Sequence, residues 1–453
     1  MKKNEIVRLE IKGMTNEGNG VGKFEEMAIF VPKTAIGDVL DVKIVKVLKS
    51  YAFGIVDKII TPSQDRQESN CEVSNKCGGC SFRHITYNAE LRIKDNFVRD
   101  AFKRIGKLDI PFEDILGCEN DDYYRNKAQY PVAEVDGKAV CGFYAKRSHR
   151  IIPYTHCRLQ PEIFADIVNT IIEKVNNIKL IAYNETTQTG LLRHIYIRQG
   201  YHTKEIMVCF VVTRWCANEL QPVVDKLTHD FSDIKSIVMN KNSKNTNVIM
   251  GKECKTIFGN DTITDIMCGN KISLSPLSFY QVNTKQAEKL YTIAKDFAKL
   301  KGNEKLIDLY CGAGTIGLSF ADNIKSLIGV EIIPEAVENA KKNAKINEII
   351  NAKFVCGDAS NIAQEFAENG ENPDIVVVDP PRKGCQMETL EAIVKMSPQK
   401  VVMISCNPAT AARDCAILKD LGYTPIKAQA VDMFPRTTHV ETVVLMSKVN
   451  PDK

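Results

Sequence analysis

From residue 305 onward the chain repeats one pattern, and that pattern leaves few folds open. Apolar runs at 305–310, 326–331, 354–358, 374–379 and 401–405 are each followed by a turn and a stretch of helical spacing. Runs this short, rich in valine and isoleucine and separated by helices, read as parallel strands buried on both faces. Strand–helix alternation predicts a doubly wound α/β sheet. Two further runs, 424–431 and 439–446, have no helix between them and are expected to form a terminal hairpin. Ligands of such sheets bind outside the carboxyl ends of the strands, so those ends are where chemistry is sought.

One of them is Val401-Val-Met-Ile-Ser-Cys-Asn-Pro408. Asn407 suits an N-cap and Pro408 the first helical position. The helix should run through Leu421 and stop at Gly422. Cys406 then sits at a strand end beside a helix N-terminus, whose dipole is expected to favour the thiolate. It is a candidate nucleophile. The plainer alternative is a small buried residue in a tight turn.

The chain has 453 residues, enough for two or three domains, and a mild net charge of +4 that permits an acidic partner without demanding one. No basic segment precedes an apolar run, and no apolar run is long enough to span a bilayer, so a cytoplasmic protein is expected. Its 15 cysteines should then be reduced, and clusters of them point to metal or catalysis rather than disulfides.

Residues 1–62 carry five short strand-like runs with turn signals between them, which fits an OB-like β-barrel. Lys43, Lys46 and Lys49 there are either an RNA-binding face or an ordinary solvated one. Next comes Cys71-Glu-Val-Ser-Asn-Lys-Cys77-Gly-Gly-Cys80. Three thiols at this spacing resemble iron–sulfur loops more than paired zinc knuckles. A fourth ligand must come from Cys118, Cys141 or Cys157, or from His84 for zinc. Residues 86–106 read as one amphipathic helix, with Leu91, Phe97, Val98, Ala101 and Phe102 on its apolar side. Between Tyr123 and Arg158, seven lysines and arginines face two acids, a net of +5, with Tyr123, Tyr124, Tyr130, Phe143, Tyr144 and Tyr154 interleaved. That composition suits a single-stranded RNA surface, and strand pairing alone also produces it.

Gly312-x-Gly314-x-x-Gly317 matches a dinucleotide fingerprint, with Glu331 near the right distance for ribose hydroxyls. Asp308 lies in the strand before the glycines. Asp358 and Asp379 end the two strands after that of Glu331. This set of acids suits S-adenosylmethionine, which has a cationic sulfonium, a free amine and no pyrophosphate; each acid alone could be a cap. A methyl donor beside a cysteine suggests pyrimidine C5 chemistry. A thiolate adding to C6 makes C5 nucleophilic. A base, such as a carboxylate ionised at neutral pH, must then remove the C5 proton.

These features resemble the RNA uracil-C5 methyltransferases over essentially the whole chain. The motifs are Ser278-Phe-Tyr-Gln-Val-Asn283, Asp308-Leu-Tyr-Cys-Gly-Ala-Gly-Thr315, Asp379-Pro-Pro-Arg-Lys-Gly384, Ser405-Cys-Asn-Pro408 and His439-Val-Glu-Thr442. The resemblance implies an N-terminal TRAM barrel at 1–62, a central α+β domain at 63–275 carrying the cysteine loop, and a Rossmann-like class I methyltransferase domain at 276–453. It implies Cys406 as nucleophile and Glu441 as proton acceptor. Gln281, Tyr310, Thr315, Glu331, Asp358 and Asp379 match positions that bind S-adenosyl-L-methionine. Cys71, Cys77, Cys80 and Cys157 match the ligands of a [4Fe-4S] cluster. TRAM followed by this loop resembles the branch acting on 23S ribosomal RNA, and the transfer-RNA branch is expected to lack both. The enzyme is expected to act as a monomer on RNA, without a membrane. Rival readings are an RNA cytosine-C5 enzyme, which normally draws its thiolate from Pro-Cys where this chain has Pro380-Pro381; an amine methyltransferase or a dehydrogenase; and a non-catalytic iron–sulfur RNA-binding protein.

Overall fold

The computed structural model describes residues 1–449. Strands Ile6–Met14, Asn19–Phe24, Met27–Pro32, Val39–Val47 and Tyr51–Thr61 close into the expected barrel. In the first of them Val7, Leu9 and Ile11 alternate inward, the period of two that a half-buried strand imposes. Lys46 and Lys49 are exposed and Lys43 is half-buried.

The middle of the chain builds a seven-stranded sheet in the order Glu253–Gly259, Ile234–Lys241, Ile206–Val212, Leu192–Gln199, Lys127–Val135, Lys138–Tyr144, Ile151–Pro153. Helices Ile163–Asn177 and Ala217–Asp230 share its core. Within 123–158 interior packing accounts for two of the interleaved tyrosines. Tyr130 is fully buried against Phe143, with ring centroids 5.1 Å apart. Tyr124 is buried too, and its hydroxyl donates to the Pro435 carbonyl at 3.0 Å. Those rings pack the interior; Lys146, Arg147 and Arg150 stay exposed on the loop after Tyr144.

The C-terminal sheet has eight strands, in the order Ala352–Cys356, Ser326–Glu331, Lys305–Leu309, Ile375–Val378, Lys400–Ser405, Glu441–Lys448, Tyr423–Val431, Phe112–Leu116. The first five pair in parallel. The terminal hairpin forms, and its second strand inserts antiparallel beside Lys400–Ser405. The edge strand Phe112–Leu116 was not foreseen. It pairs in parallel with Tyr423–Val431, so a division at residue 276 separates in sequence what the sheet joins in space.

Helix Tyr87–Ala101 is capped by Thr86 and runs into a π-helical turn, Phe102–Gly106, where one uninterrupted helix was expected. Gly106 explains how close that turn comes: a Cβ there would sit 2.8 Å from the Ala412 carbonyl oxygen. The turn thus rests on helix Pro408–Asp420, which follows Cys406. The buried side of Tyr87–Ala101 also differs from the expected apolar stripe. Leu91 and Phe97 are half-buried, whereas Glu90 and Lys94 are fully buried. Lys94 Nζ donates at 2.7 Å to both Glu90 Oε1 and Asp432 Oδ1 and at 3.1 Å to the Phe434 carbonyl. A buried charge is tolerated when it is paired and hydrogen-bonded in this way.

Candidate active site

Strand Lys400–Ser405 ends at Cys406, and Asn407 caps the following helix by accepting from the Ala409 N–H at 3.1 Å. In the antiparallel register Ser405 lies opposite Thr442. That brings Glu441, the first residue of its strand, against Cys406. A cleft of about 440 Å³ opens beside the thiol. Its walls come from three parts of the chain: Met14 and Asn16 at the barrel tip, Phe97 and Arg104 from the helix and its π turn, and Arg382 and His439 from the sheet loops. Arg382 Nη2 lies 3.3 Å from His439 Nδ1, and the Arg382 carbonyl accepts from Asn407 Nδ2 at 2.9 Å. Arg382 and His439 stand inside the quoted motifs but had been given no role; the barrel and helix walls had no local signal at all.

The electrostatics work against two expectations. Burial pushes the Cys406 thiol up, and the carboxylates of Glu441 and Asp379 push further in the same direction, opposed by Arg382. The helix terminus is thus opposed by burial and by two carboxylates. Glu441 is only 5% exposed, and burial, then Asp379, raises it to about 8 against the pull of Arg382. It is not an ordinary carboxylate ionised at neutral pH. Asp379 is itself raised to about 7 by burial. Acids raised this way cluster where a positive charge is awaited.

Of the remaining predicted positions, Tyr310, Glu331 and Asp358 end or follow neighbouring strands, Thr315 opens the helix after the glycine turn, and Gln281 lies in the segment before helix Thr284–Ala298. Tyr310 has φ +68°, a left-handed conformation rare for an aromatic residue and characteristic of ligand sites. Its hydroxyl is 3.5 Å from Thr389 Oγ1. Gly314, at φ +81°, opens helix Thr315–Phe320, and the Thr315 hydroxyl meets the Tyr291 hydroxyl at 3.2 Å. Glu331 Oε2 accepts from the Gly312 N–H at 3.0 Å and Oε1 from the Ile333 N–H at 2.9 Å, which fixes the carboxylate against the glycine turn. Asp358 caps helix Ala359–Glu368 through Oδ1 alone, accepting from Ser360 and Asn361. Gln281 is held by its backbone, whose carbonyl accepts from Asn126 Nδ2 at 2.8 Å. Asp308 engages the helix after the glycine turn through one carboxylate oxygen, and among the described residues its Oδ1 has no hydrogen-bond partner. It is fully buried, its Oδ2 accepts from the Gly317 N–H at 2.9 Å, and burial raises it to about 8.

Cys71, Cys77, Cys80 and Cys157 are all free, half-buried thiols, and they come together. Burial raises Cys80 and Cys157, and neighbouring thiols of the same set add to it: Cys77 and Cys71 for Cys80, Cys80 and Cys77 for Cys157. The Gly79 N–H points at Cys77 Sγ, 3.4 Å away. The alternatives are engaged elsewhere. Cys141 is buried in the central core, Cys118 Sγ lies 3.5 Å from Asn283 Nδ2, and His84 Nε2 lies 3.0 Å from the Thr34 carbonyl. Among the described residues no three His, Cys, Asp or Glu side chains close around one metal ion.

Comparison with known proteins decides the family. A family model described as tRNA (uracil-5-)-methyltransferase matches residues 86–449, and a TRAM model matches residues 2–56. The chain belongs to the RNA uracil-5-methyltransferase family. A Clostridium tetani protein described as an uncharacterized RNA methyltransferase is 43% identical over 99% of this chain and 97% of its own. A Bacillus cereus protein with the same description is 42% identical over 99% and 98%. Among solved structures, Pyrococcus abyssi tRNA (uracil-54, C5)-methyltransferase in complex with S-adenosyl-L-homocysteine is 25% identical, with a TM-score of 0.78 over 97% of this chain and 100% of that one. So extensive an overlap with a tRNA enzyme leaves no room for that enzyme to lack a whole N-terminal barrel. The barrel therefore does not by itself separate ribosomal-RNA from transfer-RNA members of the family.

Proposed function

We propose that the chain transfers a methyl group from S-adenosyl-L-methionine to C5 of a uridine in 23S ribosomal RNA, giving 5-methyluridine. The observation that carries this reading is the placement of Cys406 against Glu441 across one strand pair, at the mouth of a cleft. A base taken out of its stack can enter such a cleft. Cys406, once deprotonated, adds through Sγ to C6 and makes C5 an enolate carbon. S-adenosylmethionine, when bound, supplies the methyl as an electrophile at C5 and leaves as S-adenosylhomocysteine. Glu441 takes the C5 proton, the C5–C6 double bond reforms, and the C6–S bond breaks to release Cys406 as thiolate.

The glycine turn fits the cofactor. No atom lies within 4 Å of where a Gly312 Cβ would stand, and Ile332 and Ile333, directly after Glu331, are 59% and 54% exposed. That is apolar surface for a purine face beside a carboxylate for ribose hydroxyls. Gln281, Tyr310, Thr315 and Asp358 complete the holding set. Asp379, raised by its burial, would be stabilised in its ionised form by the positive charge of that cofactor. The same cation should draw Glu441 back toward its ionised form.

Two deprotonations are needed, at Cys406 and at Glu441, and burial raises both groups. The active form therefore accumulates as pH rises. We expect kcat/KM for RNA, which reports the free enzyme, to climb from about pH 7 through about pH 8, where Glu441 loses its proton, and to keep climbing beyond that as the raised Cys406 thiol ionises. A flat profile over that range would rule out these two groups as the ones that must lose protons.

The four cysteines suit an iron–sulfur cluster better than zinc. The C-x5-C-x2-C spacing of Cys71, Cys77 and Cys80 is not the paired C-x2-C of structural zinc sites. A cluster distributes its thiolate ligands over separate irons and accepts N–H donors such as Gly79. Protein purified without oxygen is expected to be brown, and Cys77→Ser to lose the visible absorption shoulder; a colourless protein with stoichiometric zinc would refute the cluster.

The cysteine loop beside the barrel supports ribosomal RNA, while the Pyrococcus abyssi likeness keeps transfer RNA in play. Labelled methyl transfer to unmodified 23S ribosomal RNA and to tRNA transcripts, followed by nucleoside identification, separates them. 5-Methyluridine in ribosomal RNA alone is the expected result. 5-Methylcytidine overturns the chemistry, and label in tRNA alone overturns the substrate.

A further inference from the structure

Residues 432–440 join strand Tyr423–Val431 to Glu441, and every other part of the molecule takes hold of them. Asp432 accepts from Lys94 Nζ at 2.7 Å and from the Tyr87 hydroxyl at 2.8 Å. The Met433 carbonyl accepts from Asn283 Nδ2 at 3.2 Å, within the motif that carries Gln281. In the barrel turn a Cβ on Gly18 would stand 3.0 Å from Thr438 Cγ2.

Arg436 is the centre of this junction. It is buried and sits at φ +70°, a conformation that persists in a non-glycine residue only where the surroundings over-determine it. Its N–H donates to Glu90 Oε1 at 2.7 Å. Its carbonyl accepts from the N–H groups of Ser81 and Phe82 at 2.7 and 3.2 Å, directly after Cys80. Its guanidinium donates to the Ile85 carbonyl at 3.0 Å and to Asp121. Arg436 thus ties the approach to Glu441 to the segment after the cysteine loop and to helix Tyr87–Ala101 through its backbone, and its guanidinium braces that junction against Ile85 and Asp121.

We infer that Arg436 is a positioning residue for the methyl-transfer reaction: it locks residues 432–440 so that Glu441 is set against Cys406, and it links that setting to the cysteine loop. This rests on the role of Glu441 proposed above. Arg436 touches neither reacting atom; it acts through the five-residue connection to the base. The cysteine loop then matters to turnover as a mechanical anchor.

Arg436→Lys keeps the charge and loses the planar fork. A base misplaced by a fraction of an ångström slows proton removal by up to about 10²-fold while addition and methylation proceed. The methylated covalent RNA–protein adduct should therefore build up, with RNA and cofactor affinities within about twofold of the parent protein. Asp121→Asn, at a partly exposed carboxylate, should do the same more weakly and guards against a variant that fails to fold. A merely structural role predicts lower turnover and weaker RNA binding together, with no adduct, and that result in both variants overturns the proposal. Glu441→Gln is run alongside. Absence of adduct there removes the base assignment and this inference with it; adduct there but in neither Arg436→Lys nor Asp121→Asn removes this inference alone.

Discussion

Cys406→Ala is expected to abolish methyl transfer, by about 10⁴-fold or more, as removal of a covalent nucleophile does. The size follows from what C5 of a uracil ring is without the thiolate: a carbon with almost no nucleophilicity toward a sulfonium. Among the described residues lining the cleft Cys406 is the one thiol, with Arg382, Thr438 and His439 around it and the carboxylates of Glu441 and Asp379 close by. Cofactor affinity should stay close to that of the parent protein, since Cys406 follows strand Lys400–Ser405, two places along the sheet from strand Lys305–Leu309, which the Gly312 turn follows. The fold should hold as well, because Cys406 is only half-buried and its neighbour Asn407 supplies the helix cap. Rapid-quench methylation assays together with calorimetric titration of S-adenosylhomocysteine check both halves. Normal turnover in this variant would remove the covalent mechanism; lost turnover with lost cofactor binding would instead make Cys406 part of the cofactor site.

The strands that carry the site were legible because their signal is local. Four consecutive buried residues in Ile375–Val378 and a turn with Asn407 and Pro408 declare strand and helix within a few positions. The barrel declared itself through alternation and turns. What stayed hidden was non-local or carried by polar residues. Phe112–Leu116 has too few apolar residues to announce a strand, and its place beside Tyr423–Val431 is a tertiary fact. Glu90 and Lys94 looked like a solvated helix face because a charge pattern does not reveal a partner such as Asp432, more than three hundred positions away. Cys406 was legible as a residue, while the groups that oppose its ionisation were not. The helix dipole can be inferred from Asn407 and Pro408, whereas burial and the carboxylate of Glu441 depend on the register that sets Ser405 opposite Thr442. Resemblance supplied Glu441 itself; by pattern it is one more residue at the start of a strand.

Glu441→Gln should stop the reaction later than Cys406→Ala does, and the difference identifies the base. Glutamine keeps the size and the hydrogen-bonding reach of the side chain but cannot accept the C5 proton. Cys406 can still add to C6, and C5 can still take the methyl group. Elimination then stalls, and RNA remains joined to the protein through the C6–S bond. Overall turnover is expected to fall by about 10² to 10⁴-fold, the usual contribution of a positioned base. A slow-migrating band should appear on denaturing gels, dependent on RNA and on S-adenosylmethionine, and should carry label from the methyl group. The substitution also removes a buried carboxylate that sits near Asp379 and is raised to about 8. Like-charge repulsion in the site therefore drops, and the Cys406 thiol, which Glu441 helps to push up, should ionise at lower pH in the variant. Adduct formation in Glu441→Gln should accordingly reach its plateau at lower pH than turnover does in the parent enzyme. An adduct that forms without the methyl donor would show addition running ahead of methylation. No adduct at any pH would mean that another group removes the proton, and Asp379, the other raised acid beside the thiol, becomes the residue to change next.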